Sequence, residues 1–159
     1  MTAPFHGFFE LRTARDLLEK LRRDLERLRA APLDTDAAFN FFVTAEHLLD
    51  WVYPKKAGTA QRTAERKASS LLQVCSHLAN GAKHFETEAK QHKSVDQTVK
   101  RSGFFPAGMF PPGFLPMFPD AQLVVKLKGG AAKALGSSVP ALTLAEQVLK
   151  YWDAHANIT

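Results

Sequence analysis

The chain has 159 residues, 45% of them hydrophobic, and carries 21 basic against 16 acidic side chains for a net charge of +5; that length suits one domain burying roughly two-thirds of its unfolded surface. The single cysteine, Cys75, excludes an internal disulfide, and no stretch approaches the ~20 consecutive apolar residues of a membrane span. Met1-Thr2-Ala3-Pro4-Phe5-His6 lacks the basic start and apolar run of a signal peptide, so one cytoplasmic domain over residues 1–159, without membrane contact, is expected.

The elements begin at Leu11. Leu11, Ala14, Leu18, Leu21, Leu25 and Leu28 recur at gaps of three and four and predict a long helix with one apolar stripe, ended by Ala30-Ala31-Pro32. Opposite charges such as Arg12/Asp16, Arg15/Glu19 and Arg22/Glu26 suit its exposed faces. The heptad run is too short to demand a coiled coil, although a dimer through this helix stays open. Asp34-Thr35-Asp36 supplies N-cap chemistry for a second helix that Pro54 stops. With Phe39, Phe41, Phe42, Val43, Leu48, Leu49, Trp51 and Val52 it is apolar nearly all round and should lie centrally. Glu46, His47 and Asp50 interrupt it, and its buried carboxylates need partners, which Lys83, His84 or an arginine of the third helix can supply; these residues orient a site or lock the bundle.

Gly58-Thr59 opens a third helix with Ala64, Ala68, Leu71, Cys75 and Leu78 on one face. It either continues past Gly81 or breaks near Ser76, with a short fourth helix carrying His77 to His84. Residues 86–101 are polar and weakly periodic. Residues 102–119 hold five prolines, three glycines and five phenylalanines; no regular structure suits them, yet a plain linker would not carry such apolar bulk. Phe105, Phe110, Phe114 and Phe118 are therefore interface candidates, for a second copy or another protein, if they do not pack on the domain itself. No cation interleaves them, so base stacking by this loop is not expected. Gln122–Leu127 reads as a strand, Gly129-Gly130 as a turn and Ala131–Leu135 as a return strand. A last helix starts from the capping box Thr143-Leu144-Ala145-Glu146. The fold class expected is mainly α: an up-and-down bundle of four to five helices with a small C-terminal β-hairpin.

Residues 53–101 carry 10 basic and 4 acidic side chains and so hold the positive excess. Within them, His77, Asn80, Gly81, His84 and Glu88 share a face if the helix persists, because separations of three, four and seven return to one side. Two imidazoles there give a candidate acid and base, His77 and His84, while Asn80, Lys83 and Arg66 are candidate ligand-binding groups and His47, Asp50 and Glu46 supporting ones. The alternative is that Asn80 and His84 serve only the fold. His77, His84, Glu88 and His47 match no zinc spacing, and neither metal nor cofactor is expected.

Asn80-Gly81-Ala82-Lys83-His84-Phe85 resembles the motif of HEPN-like helical proteins, over about residues 8–92. The resemblance implies a helical, RNA- or nucleotide-associated module, of the kind found in bacterial defence and toxin systems. Ribonuclease members of that family pair an arginine with a histidine a few residues later. Asn80 and His84 match the polar and histidine positions, whereas Ala79 stands where the arginine is expected. The resemblance thus implies a non-catalytic or weakly catalytic module, with metal-independent RNA cleavage through His84 and a protein-interaction scaffold as alternatives.

Overall fold

The computed structural model describes residues 7–84, 93–104, 109–111, 113–114, 120–155 and 158. Helix α1 spans Ala14–Ala30 and starts at a capping box: the Asp16 N–H donates to Thr13 Oγ1 at 3.1 Å, and the Thr13 N–H donates back to the Asp16 carboxylate at 2.9 Å. N–H groups of Arg12 and Thr13, with the Thr13 hydroxyl, hold the Asp16 carboxyl below its usual range. The box leaves Leu11 outside the helix, bridged to Phe8. The leucine stripe from Leu17 to Leu28 is buried against α2 (Thr35–Val52) and α6 (Ala141–Asp153), so the surface the sequence offered for a dimer is spent inside the molecule.

Asp34 caps α2 as expected, Oδ1 accepting the Asp36 N–H at 2.8 Å. Ala37, Ala38, Phe41, Phe42, Ala45, Leu48 and Leu49 bury it among α1, α4 (Ser70–Lys83) and α6, the central place its composition predicts. A 3-10 turn, Lys56–Gly58, leads into α3, Thr59–Ala68. The break after it lies at Ser69, not near Ser76: Ser69 is extended and its hydroxyl accepts the Leu72 N–H at 3.4 Å, capping α4. Helix α4 then runs through Gly81, where an added Cβ would meet nothing within 4 Å, to Lys83.

The sheet is larger than a hairpin. Residues that read as weakly periodic form β1, Val95–Arg101, antiparallel to β2, Gln122–Leu127, with Val99 opposite Val124. Ala131–Leu135 is not a return strand: Gly129–Leu135 forms helix α5, as its alanine-rich sequence favours, and buries Ala131. The strand that completes the order β1-β2-β3 is Ser138–Pro140. Helix α6 begins at Ala141 straight after it, so Thr143 and Glu146 lie inside the helix instead of boxing its start, and Glu146 pairs with Arg29 at 3.1 Å. One core cluster gathers residues of α1, α2, α4, all three strands, α5 and α6. The protein is mainly α with a small antiparallel sheet, and among the described residues no helix is long and apolar enough to cross a membrane.

Candidate functional site

The last two turns of α4 carry the stretch singled out by sequence. His77 is half-buried, and its Nδ1 accepts the Val95 N–H at 2.9 Å with Ser94 Oγ 3.4 Å away. A neutral ring in that role carries its proton on Nε2. Ser94 Oγ in turn donates to the Gln73 carbonyl at 3.1 Å, so His77 and Ser94 fasten the start of β1 to α4. Asn80 Nδ2 donates to the Ser76 carbonyl at 2.8 Å, and the Asn80 carbonyl accepts the His84 N–H at 2.8 Å. His84 is the extended C-cap, and it and Lys83 are exposed. The helical spacing that would align His77 with His84 therefore stops one residue short. Phe85 and Glu88 lie outside the described residues.

Beside this helix end opens a cleft of about 540 Å³. Its walls come from the start of α2 (Ala38, Phe39, Phe42), from His77, Gly81 and Ala82 of α4, and from β1 with the neighbouring residues of β2. Phe39 is 48% exposed, the one large hydrophobic residue of α2 that is. Lys100 lines the cleft and donates to the Leu33 carbonyl at 3.2 Å. Among the described residues of α4 and of 93–101, Lys83, Lys93, Lys100 and Arg101 face one acid, Asp96. Of these, Lys100 and Asp96 line the cleft with Phe39, whereas Lys83, Lys93 and Arg101 lie outside its lining.

The supporting residues fall elsewhere. Glu46 is buried and pairs with Arg66, while Asp50, exposed, pairs with Arg62 Nε at 3.1 Å; arginines of α3 are the partners these carboxylates needed. Burial raises the Glu46 pKa against the opposing pull of Arg66. Glu46 Oε2 and Arg66 Nε have no hydrogen-bond partner among the described residues. His47 is exposed on α2. None of Glu46, His47, Asp50 or Arg66 lines the cleft. Burial also raises the Cys75 thiol pKa, which keeps it an inert hydrophobe. Of the interface candidates, Phe110 and Phe114 are exposed and stack with ring centres 5.6 Å apart, whereas Phe105 and Phe118 lie outside the described residues.

A cluster the sequence did not announce surrounds Glu65 on α3. Its carboxylate accepts the Tyr151 hydroxyl at 2.7 Å and the Tyr53 hydroxyl at 3.2 Å, and His155 Nε2 lies 3.6 Å away. The four-residue spacing of Tyr151 and His155 at the end of α6 is the one local signal it left. Helix α3 has no buried residue, so these bonds and the two arginine pairs hold it to the body. The tyrosines hold the Glu65 pKa down, Tyr151 foremost, while burial, then the Glu65 carboxylate, raises that of Tyr151. A depressed folded pKa means the carboxylate contributes stability above the unfolded value of about 4.3, lost as pH falls through the lower folded value. Glu65→Gln is expected to flatten this acid limb by less than about 1 kcal/mol, since the group is partly solvated. Thermal melts of both proteins between neutral pH and about pH 3 check it; parallel curves would show that Glu65 carries no such linkage.

Compared with protein-family models, with curated proteins and with solved structures, the chain gives no match in any of the three.

Proposed function

We propose that the protein is a non-catalytic, HEPN-like binding module that takes RNA or a nucleotide in the cleft beside Asn80–His84, acting in the cytoplasm. The observation that carries this reading is the cleft itself: the motif helix ends on an opening lined by Phe39 and Lys100, with Lys83 and His84 exposed at the same helix end. A ring available for stacking in a cleft with one lysine, Lys100, suits a single-stranded or mononucleotide ligand. Catalysis is disfavoured because His77 accepts a backbone N–H and Ala79 stands where the family's ribonucleases carry arginine.

The test is fluorescence anisotropy with a labelled single-stranded RNA, and competition by mononucleotides. Phe39→Ala is expected to weaken binding about tenfold, the order for loss of one stacked base. Lys100→Ala should weaken it less and reduce its salt dependence. No binding by the wild type, or equal affinity in both variants, removes this reading; RNA cleavage that His84→Ala abolishes would replace it with the ribonuclease.

A protein-interaction scaffold is the second reading, favoured by the exposure of Phe104, Met109 and Phe114 (65%, 57% and 61%). Phe110→Ser/Phe114→Ser should then alter the association state seen by light scattering, and an unchanged state would remove it.

A further inference from the structure

None of the ten residues of α3 is buried, and only Arg62, Glu65 and Arg66 are even half-buried. Separations of three and four put these three on one stripe, the face that α3 turns to the body. Ala64 and Ala68, which periodicity joins to Leu71 and Cys75, are exposed. The docking face is therefore wholly polar. Arg62 pairs with Asp50 and donates to the Tyr53 and Lys55 carbonyls, Arg66 pairs with Glu46, and Glu65 accepts from Tyr53 and Tyr151. From α4, Gln73 Nε2 donates to the Arg66 and Lys67 carbonyls at 3.0 and 3.3 Å. The chain is jointed at both ends of the helix. Lys55 has φ 61° and ψ −176°, a region normally left to glycine that persists only where the surroundings hold it. Its carbonyl takes the Arg62 bond at 3.0 Å, and at the far end Ser69 is extended.

We propose that α3 is a polar strap that opens as one unit between Lys55 and Ser69 while the rest of the fold stays closed. Apolar burial, the term that holds the other helices, is missing from its docking face, and water competes for every bond that remains. Opening then costs far less than unfolding. A ten-residue helix is marginal in water by itself, so a released α3 unwinds and its amides open together. Helices α1 and α2 bury leucines and phenylalanines in the common core, and their central turns open only with that core. The strap switches the charge of this face. Closed, Arg62 and Arg66 are held on Asp50 and Glu46; open, they join Lys55, Lys56 and Lys67 on an arm whose one acid is Glu65. Opening also uncovers the hydroxyls of Tyr53 and Tyr151 that Glu65 holds. No residue of α3 lines the cleft beside Asn80–His84, so the strap does not rest on the nucleic-acid reading.

Native-state hydrogen exchange, read residue by residue by NMR in low urea, tests it. The amides from Thr63 to Ala68 close the turns of α3 and are expected to share one protection factor, about a hundredfold or more below those of the buried turns of α1 and α2. Urea should barely change that factor, because opening exposes little surface, while it steeply lowers protection in α1 and α2. Tyr151→Phe removes one latch from outside the helix and keeps its ring against Trp152. That variant should lower the shared factor of α3 about fivefold. Protection in α3 that matches α1 and α2, or that falls with urea as steeply as theirs, overturns the proposal, since α3 then opens only with the whole molecule. So does protection graded from the helix ends inwards, which is fraying, or a Tyr151→Phe variant in which α3 exchanges as in the wild type.

Discussion

Asp24→Ala is expected to lower the free energy of unfolding by about 3 kcal/mol, the order seen when one member of a buried charged network is removed. The Asp24 side chain is wholly buried on the inner side of α1, between leucines. Lys20 and Thr44 donate to its Oδ2, the hydroxyl at 2.9 Å, and Arg27 donates to Oδ1 at 2.9 Å. The carboxylate thereby ties α1 to α2 where both are otherwise apolar. Its removal leaves a hole and a buried hydroxyl; the Thr44 proton can still go to the Asn40 carbonyl at 2.7 Å, and Lys20 and Arg27, 31% and 64% exposed, can turn to water. Those releases keep the expected loss at the low end for buried pairs. Glu26, whose bond to Arg29 is exposed, is the control, and Glu26→Ala should change stability by less than about 0.5 kcal/mol. Urea unfolding with an unchanged slope is the measurement. A loss under about 1 kcal/mol for Asp24→Ala would mean the network contributes little beyond solvating itself.

The legible parts of this fold are those whose cause is local. The leucine stripe of α1, the Asp34 cap and the Pro54 stop depend on neighbours within a few residues, and the structure has them where the sequence places them. Strand β1 was illegible because Val95-Asp96-Gln97-Thr98-Val99-Lys100-Arg101 has too few apolar positions to show a period of two. It forms by pairing with β2 across the phenylalanine-proline segment and by giving the Val95 N–H to His77. Gly129-Gly130 reads as a turn because two glycines oppose the helix that the alanines after them favour. The need of Glu46 for a cation was readable from its place on an apolar helix, and Arg66 meets it. The Glu65 cluster was not, since Tyr53, Glu65, Tyr151 and His155 come from three separate parts of the chain. The cleft beside Asn80–His84 needed β1, and so it too was out of reach.

Trp152 tests how the last helix closes the molecule. It has no exposed surface, and α6, which carries it, packs on α1, α2, α4 and β2. Trp152→Ala is expected to cost about 4 kcal/mol, the range for removing a large buried ring. Trp152→Phe separates volume from hydrogen bonding. The indole Nε1–H is buried with no acceptor among the described residues, so the phenyl ring loses packing but also removes a donor that the fold leaves unpaired. These effects oppose each other, and the phenylalanine variant should lose no more than about 1.5 kcal/mol. The edge contact with Tyr151 and the tilted contact with His155, each at 5.2 Å between ring centres, remain open to a phenyl ring. Chemical denaturation of the two variants beside the wild type gives the comparison. A phenylalanine variant as unstable as the alanine one would show that the indole's extra volume, not ring packing in general, closes the core.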